Sequence, residues 1–345
     1  MSVLSQQQTM KFDRWVRSLL LFALTALLTW GCSRTILTTL PLTLPSIHCQ
    51  PTAPSTDCDR PRKIAVLSPY GLDLLLSLGE QPAAYAGVSA SRRPFNHPIE
   101  QVPYLGRYVT TQPINLGDRA SPALEALALL KPDLIVGETW QGSQGRAKLF
   151  SQIAPTLLLD DQQGGWQASL QQLASILDRS NMIPQIMAAR NERITQARQK
   201  LAEIANAHPR VLLLSSGDLT SNFYAFGQER SIYSDLLETL GFKIVRLDES
   251  LLATKDAFQL PAEVLPQLDP DILIVLGWNK NDVDNRPLNW RQLQQQWNQI
   301  PLLKAMPISQ SGRVYFMDAH LTMLRGSLAE AQILNDLLQQ LAPNS

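Results

Sequence analysis

Two stretches of this sequence, residues 123–137 (ALEALALLKPDLIVG) and residues 261–277 (PAEVLPQLDPDILIVLG), follow one pattern. Each reads as a helix, a Pro-Asp turn and a buried strand, with Glu125 and Glu263 at corresponding places. Each half also begins with a strand, a loop and a helix of similar sequence, which supports the same internal repeat. The repeat predicts two similar α/β lobes.

Short apolar runs rich in β-branched residues alternate with longer helical patterns from Pro61 onward. Such continuous apolar runs are typical of parallel strands that are covered on both faces. The runs that read as buried strands are KIAVLS, DLIVG, PTLLLD, RVLLLSS, FKIVRLD and DILIVLG. We therefore expect mainly parallel sheets, with an N-terminal lobe over residues 61–179 and a C-terminal lobe over residues 209–345.

The segment between the predicted lobes, residues 180–208, has the pattern of one long helix. Apolar residues from Ile186 to Ile204 recur at helical spacing, and Arg and Glu occupy the other positions. At about 1.5 Å per residue, such a helix is longer than roughly 30 Å. It predicts a rigid connection between the two lobes.

The first half has more residues than the second between its opening helix and its Pro-Asp turn. This additional segment contains Arg92, Arg93, Tyr104 and Arg107. A long loop inside a compact lobe is more often functional than idle. We therefore expect residues of this loop to have a role in the function of the protein.

The first 31 residues have the pattern of a secretory signal. A basic start with Lys11 and Arg14 precedes an apolar stretch at residues 18–30. That stretch is shorter than the roughly 20 residues that a membrane-spanning helix needs, but it suits the apolar region of a signal peptide. We expect export from the cytoplasm, followed by a tether rich in Thr and Pro over residues 32–60.

Gly31 and Cys32 resemble the processing site of bacterial lipoproteins, which would make Cys32 the lipidated first residue of a membrane-anchored protein. Trp30 is bulky where that site usually has a small residue, so ordinary cleavage and an uncleaved anchor remain alternatives. Cys49 and Cys58 form an even pair in an oxidising compartment. Both a local disulfide and two free thiols are compatible with their spacing.

Composition and motifs argue against several classes of protein. The 345 residues have a formal net charge of zero, which argues against nucleic acid as a partner. The sequence has no G-x-S-x-G nucleophile turn, no G-x-G-x-x-G and no phosphate-binding G-x-x-x-x-G-K. Its four histidines are scattered, without the spacing of metal ligands. We therefore expect neither an enzyme nor a resident metal or cofactor.

Four segments together resemble one family, the periplasmic substrate-binding proteins of ABC importers for iron siderophores, haem and vitamin B12. They are IAVLSPYGLDLLLSLGEQPAAYAGV, SPALEALALLKPDLIVG, FYAFGQERSIYSDLLETLGFKIV and RVYFMDAHLTMLRGSLAEAQIL. The resemblance covers residues 61–341. It implies two α/β lobes joined by one backbone helix, with the ligand in the cleft between them, where loops follow the strands.

The resemblance also implies which residues contact the ligand. Arginine has five donors and a permanent charge, which suits the oxygens of an anionic iron chelate, and aromatic rings suit the cleft walls. The predicted ligand contacts are Arg92, Arg93, Trp140, Tyr224, Phe258, Trp278, His320 and Arg325. Two structural roles remain alternatives: Trp140 and Trp278 could cap apolar cores, and Arg325 could pair with Glu330.

In the resembling family, one acidic residue in each lobe docks onto the membrane permease. Glu125 and Glu263 match those positions, although an acid in the first turn of a helix is also favourable to the helix dipole. Two equivalent acids suit a permease dimer. The predicted partners are an ABC permease dimer with its ATPase and a small iron chelate, and the protein itself is expected to be a periplasmic or extracytoplasmic monomer.

The expected function is capture of a ferric siderophore and its delivery to an ABC permease. Vitamin B12 and haem are alternative ligands, because aromatic walls also suit a corrin. A ligand-binding lipoprotein without a role in transport is a further alternative.

Overall fold

The computed structural model describes residues 61–88, 93–143, 145–216, 219, 222–228, 231–248, 258–278 and 290–342. The strands are β1 (Ile64–Val66), β2 (Ala84–Gly87), β3 (Ile114–Asp118), β4 (Leu134–Glu138), β5 (Thr156–Leu159), β6 (Arg210–Ser216), β7 (Asn222–Phe226), β8 (Lys243–Ile244), β9 (Gln259–Pro261), β10 (Ile272–Gly277) and β11 (Val314–Asp318).

The α-helices are α1 (Pro69–Ser77), α2 (Pro98–Gln101), α3 (Leu124–Leu130), α4 (Arg146–Ile153), α5 (Gly165–Ile176), α6 (Ile183–Ala207), α7 (Ile232–Leu240), α8 (Trp290–Gln299), α9 (Pro301–Lys304), α10 (Pro307–Gln310) and α11 (Ser327–Leu341). Short 3₁₀ turns connect several of these elements. They span Gly106–Tyr108, Thr139–Gly142, Ser180–Met182, Ala262–Gln267 and Ala319–Met323.

The first lobe contains a five-stranded sheet in the order β3-β2-β1-β4-β5. Every neighbouring pair in it is parallel. The second lobe contains a sheet in the order β11-β10-β6-β7-β9. Its strands β6, β10 and β11 are parallel, β7 is antiparallel to its neighbours, and β8 pairs with the start of β6. The predicted α/β fold with two similar, mainly parallel lobes is confirmed.

The apolar runs are continuous because both faces of each central strand are buried. In β6, Val211 and Leu213 point into one hydrophobic cluster and Leu212 and Leu214 into the cluster on the opposite face. The strands β1 and β10 alternate between two clusters in the same way. A strand with this pattern needs helices on both faces of its sheet, as a doubly wound α/β lobe provides.

The long helix α6 belongs to the cores of both lobes. Its first turns, with Ile186, pack against the core of the first lobe, and Ile194 and Leu201 are buried in the core of the second. Pro184 stands in the first turn, where its missing N–H removes no helical hydrogen bond. The predicted long helix is therefore present. Among the described residues, no helix is long and apolar enough to span a membrane.

The Pro-Asp turns of the sequence repeat have the same structural role in both lobes. The carboxylate of Asp133 accepts a hydrogen bond from the backbone N–H of Lys63, at 2.7 Å, just before β1. The carboxylate of Asp271 accepts one from the N–H of Arg210, at 2.8 Å, at the start of β6. Each aspartate thus aligns its own strand with the central strand of its sheet. The repeats differ after Glu263, where Pro266 interrupts the helix and a 3₁₀ turn forms.

The closing helix α11 begins on the first lobe, although the preceding strand belongs to the second. Asp73, fully buried on α1, accepts backbone N–H bonds from Leu328 at 3.0 Å and from Ala329 at 2.8 Å. A Cβ atom on Gly326 would lie 2.2 Å from Asp73 Oδ1, so only glycine fits there. The carboxylate of Asp73 therefore caps α11 from another part of the chain.

We expect Asp73 to make the stability of the protein depend on pH. Burial raises the pKa of its carboxyl from 3.8 to about 7, although the N–H bonds from Leu328 and Ala329 lower it. The folded state then binds more protons than the unfolded state between about pH 4 and pH 7, so the free energy of unfolding should fall as the pH rises through this range. Asp73→Asn should reduce that fall by up to about 4 kcal/mol, because each unit of pKa shift corresponds to about 1.4 kcal/mol.

The measurement is urea unfolding of the wild type and of Asp73→Asn at several pH values. Glu203→Gln is the matched control, because Glu203 is an exposed acid on α6 and its loss should leave the pH dependence unchanged. Identical slopes for the wild type and Asp73→Asn would contradict the prediction.

Candidate functional site

The carboxyl ends of strands from both sheets meet at the segment between β11 and α11. Arg325 of this segment donates from Nη2 to Oε2 of Glu138, the last residue of β4. Its Nε lies 3.1 Å from Oδ2 of Asp161, which follows β5. Because ligands of open α/β sheets bind outside the carboxyl ends of the strands, this junction marks the floor of the candidate site.

Arg325 is held from several directions. Its guanidinium carbon lies 4.8 Å from the centroid of the Tyr70 ring, and its side chain is 27% exposed. Its backbone has a φ of 56°, a left-handed conformation that costs a non-glycine residue on the order of 1 kcal/mol. Burial raises the pKa of Tyr70, which therefore stays protonated. The alternative role of Arg325, an ion pair with Glu330, is not observed, because Glu330 pairs with Arg190 at 2.7 Å.

The first lobe presents an aromatic side chain at the end of β4. Trp140 lies in the 3₁₀ turn after this strand and is 42% exposed. The guanidinium carbon of Arg119, which follows β3, lies 5.1 Å from the centroid of the Trp140 ring. A cation over the face of an indole ring is favourable and fixes the position of both groups. Trp140 is therefore a partly exposed side chain and not a buried cap of the core.

The second lobe presents an aromatic cluster at the ends of β10 and β11. Trp278 follows β10, and its ring meets the His320 ring edge to face at 5.0 Å. Its Nε1 donates to Ser215 Oγ at 2.8 Å. Tyr224, 42% exposed, is the antiparallel partner of Ser215 and so projects from the same face of the sheet. The structure thus brings Trp278, His320 and Tyr224 to one region.

Asp318, at the end of β11, connects this cluster to the first lobe. Its Oδ1 lies 2.8 Å from His320 Nδ1, and its Oδ2 accepts a hydrogen bond from the hydroxyl of Tyr104. Tyr104 belongs to the long loop between β2 and β3, so that loop reaches across to the second lobe. Burial and the Asp318 charge raise the pKa of Tyr104, which keeps its hydroxyl as a donor. Arg107 of the same loop donates to Gln332 at 3.0 Å.

Of the remaining predicted contacts, Phe258 lies next to the strand that contains Tyr224, because Gln259, the following residue, is the antiparallel partner of Tyr224. Phe258 has a left-handed φ of 49° and precedes β9, where its carbonyl accepts from the N–H of Ala225. Arg93 is exposed in the loop after β2. Arg92 and Cys32 lie outside the residues that the structure describes. The ligand contacts named from the sequence remain predictions.

A groove of about 750 Å³ lies beside Arg325, between the start of α5 and one side of α7. Asp161 and Trp166 of the first lobe line it, together with Phe226 and Asp235 of the second. This volume lies within the range of small-molecule sites, roughly 300–1,000 Å³. Within the part of the chain that the structure describes, no group of three or more His, Cys, Asp or Glu residues could hold a metal ion.

Glu125 and Glu263 are exposed at corresponding places of the two lobes. Glu125 lies in the first turn of α3, and Glu263 lies in the 3₁₀ turn that precedes β10. Each is followed by an aspartate, Asp133 or Asp271. Its carboxylate accepts a hydrogen bond from the backbone where the first strand of that lobe begins. The repeat therefore places one exposed acid on each lobe.

Sequence reasoning missed Arg119 and Glu138 as residues of the site. It singled out the loop that contains Tyr104, but it did not identify the contact of Tyr104 with Asp318. Arg119 and Glu138 each follow or end an apolar run, and a polar residue at the end of a buried parallel strand is the signal that could have identified them. The pairing of Tyr104 with Asp318 joins residues far apart in the chain, and no local pattern indicates it.

The chain matches the family described as "Periplasmic binding protein" over residues 64–321. A curated relative, the putative ABC transporter substrate-binding lipoprotein YhfQ of Bacillus subtilis, is 25% identical over 83% of this chain and 84% of its own. The probable siderophore-binding lipoprotein YfiY of the same organism is 25% identical over 80% of this chain and 81% of its own.

Solved structures share the fold at lower sequence identity. The triscatecholate siderophore binding protein FeuA of Bacillus subtilis, complexed with Ferri-Bacillibactin, superimposes with a TM-score of 0.61 at 18% identity, over 86% of this chain and 95% of its own. The siderophore binding protein FhuD of Vibrio cholerae, bound to Fe3+-Desferal, has a TM-score of 0.62 at 19% identity, over 81% and 98%. Because the family match spans most of the sequence, this chain is a member of the periplasmic binding protein family.

Proposed function

We propose that this protein captures a ferric siderophore outside the cytoplasm and delivers it to an ABC permease with its ATPase. The observation that supports this most strongly is that aromatic side chains lie at the carboxyl ends of strands in both sheets, in a chain that belongs to a binding-protein family. The relatives YfiY and FeuA, named as siderophore-binding proteins, support the choice of ligand. Binding and delivery require no catalytic step.

The chelator's own oxygens hold the iron, and the protein supplies aromatic surfaces and hydrogen-bond donors around it. In this proposal Trp140 forms a wall on the first lobe, and Tyr224, Trp278 and His320 form a wall on the second. Arg325 lines the floor, and Arg92, Arg93 and Phe258 are further proposed ligand contacts. The helix α6 and the contacts of α11 with both lobes limit closure to small angles.

The proposed location is the extracytoplasmic side of the membrane, with Cys32 as the lipidated residue. The relatives YhfQ and YfiY, both named as lipoproteins, support the anchor. A lipid anchor keeps the binding protein close to its permease without a membrane-spanning helix.

Tryptophan fluorescence tests the ligand class. We expect saturable quenching of the purified protein by a ferric siderophore, and weaker or no quenching by cyanocobalamin and haemin at the same concentrations. Trp140→Phe should reduce the amplitude of quenching and weaken binding by about fivefold, because the aromatic contact of Trp140 contributes roughly 1 kcal/mol.

Trp297→Phe is the matched control. Trp297 is buried in the second lobe between Phe223 and Phe316, so its replacement should leave the affinity unchanged. Saturable binding of cyanocobalamin or haemin, without binding of any ferric chelate, would replace the proposed ligand while the binding function stands.

Glu125 and Glu263 are the proposed docking residues for the permease. We expect the double variant Glu125→Ala, Glu263→Ala to abolish uptake of the ferric chelate in cells while the purified protein keeps its affinity. The reason is that each acid is exposed on its lobe and can form an ion pair only when the permease is present.

A double variant of two other exposed acids, Glu100→Ala and Glu203→Ala, controls for general loss of surface charge and should transport normally. Normal uptake by the Glu125, Glu263 variant would show that these residues do not mediate docking. It would favour a ligand-binding lipoprotein that works without this permease contact.

A further inference from the structure

Glu138 lies between two arginines that come from different lobes. Its Oε2 accepts the hydrogen bond from Arg325, and its Oε1 lies 3.9 Å from Nη1 of Arg119. Glu138 itself is only 3% exposed, whereas both arginine side chains are 27% exposed. A single buried carboxylate therefore supports two partly exposed cations at the floor of the cleft.

The position of Glu138 is fixed by the neighbouring Gln141. The backbone N–H of Glu138 donates to Gln141 Oε1 at 2.8 Å. The Nε2 group of Gln141 donates to the carbonyls of Leu67, at 2.8 Å, and of Arg119, at 2.7 Å. The same amide thus ties the Glu138 backbone to the segment that holds Arg119. The backbone that carries the Glu138 carboxylate is therefore fixed next to the Arg119 segment before any ligand arrives.

The charge of Arg325 is offset a second time by Asp161, whose Oδ2 lies 3.1 Å from its Nε. Arg119 lies over the partly exposed ring of Trp140, and its guanidinium is also close to the carboxylate of Glu138. Among the described residues at this edge, both arginines therefore have acidic neighbours. The two arginines can donate hydrogen bonds to a ligand. The positive electrostatic potential around them is small, because the neighbouring carboxylates offset their charge.

Net potential matters because Coulomb energy scales with the charge of the ligand. A highly anionic chelate gains most from an uncompensated cation and is repelled by the carboxylates behind it. A neutral chelate gains hydrogen bonds and aromatic contacts and is affected little by either charge. A cleft floor of paired charges thus discriminates between chelates by their net charge.

Building on the proposed function, we propose that Glu138 is a specificity-determining residue of the cleft. Together with Asp161 it positions Arg119 and Arg325 and offsets their charge, so that the site takes a ferric chelate of low net charge, such as a neutral trihydroxamate. A ferric triscatecholate, which has several negative charges, is disfavoured.

The test measures the affinities of the full chain for a neutral ferric trihydroxamate and for an anionic ferric triscatecholate. The wild type should bind the trihydroxamate more tightly. Glu138→Gln keeps the size and an acceptor oxygen but removes the charge, and it should shift the ratio of the two affinities toward the triscatecholate by about tenfold or more. Asp161→Asn should shift the ratio in the same direction.

Glu80→Gln is the matched control, because Glu80 pairs with Arg179 at 2.6 Å in the first lobe, beyond the end of α1 that faces away from the cleft. It should leave the affinity ratio unchanged. Thermal unfolding of each variant verifies that it folds, and Asp161→Asn provides the test if Glu138→Gln does not.

A wild type that prefers the triscatecholate would overturn the specificity role and leave the receptor function in place. Equal weakening of both chelates by Glu138→Gln and by Asp161→Asn would also overturn it, because a purely structural role predicts that result. Binding of neither chelate by the wild type would instead count against the proposed function, and the specificity role would fail with it.

Discussion

The structure depends on the buried carboxylate of Asp73 at the start of the closing helix α11. A carboxylate without a cationic partner is costly to bury, and here two backbone N–H groups of the helix offset part of that cost. The chain leaves β11 in the second lobe and must return to the first lobe to make this contact. The segment between them is therefore drawn across the junction, and Arg325 reaches the ends of β4 and β5.

This geometry explains why the polar residues of the site occur in linked sets. Asp318 holds both His320 and Tyr104, and Glu138 holds both Arg119 and Arg325. In each set one carboxylate from the end of a strand orients side chains from two lobes. Such pairs limit how far the two lobes can move apart, because a large movement would break hydrogen bonds between them.

Much of the fold was predictable because its signals are local. Five of the six apolar runs predicted buried strands, since a residue that faces either side of a covered sheet must be apolar. The prediction was wrong for most of FKIVRLD, where only Lys243 and Ile244 form a strand. The two Pro-Asp turns predicted the internal repeat. Each aspartate accepts a hydrogen bond from an equivalent backbone N–H group, where the first strand of its lobe begins. The strands β7 and β9 were not predicted, because they are short and their antiparallel pairing depends on the neighbouring β6.

The sequence by itself determined the two α/β lobes, the long helix, the equivalent exposed acids Glu125 and Glu263, and the aromatic residues Trp140 and Trp278 at the ends of strands. Only the tertiary structure decided which charges meet. Glu138 lies 187 residues from Arg325, and Tyr104 lies 214 residues from Asp318. Hydrophobic periodicity depends on the nearest neighbours in the chain, whereas an ion pair depends on where two distant segments are brought by the packing of the cores.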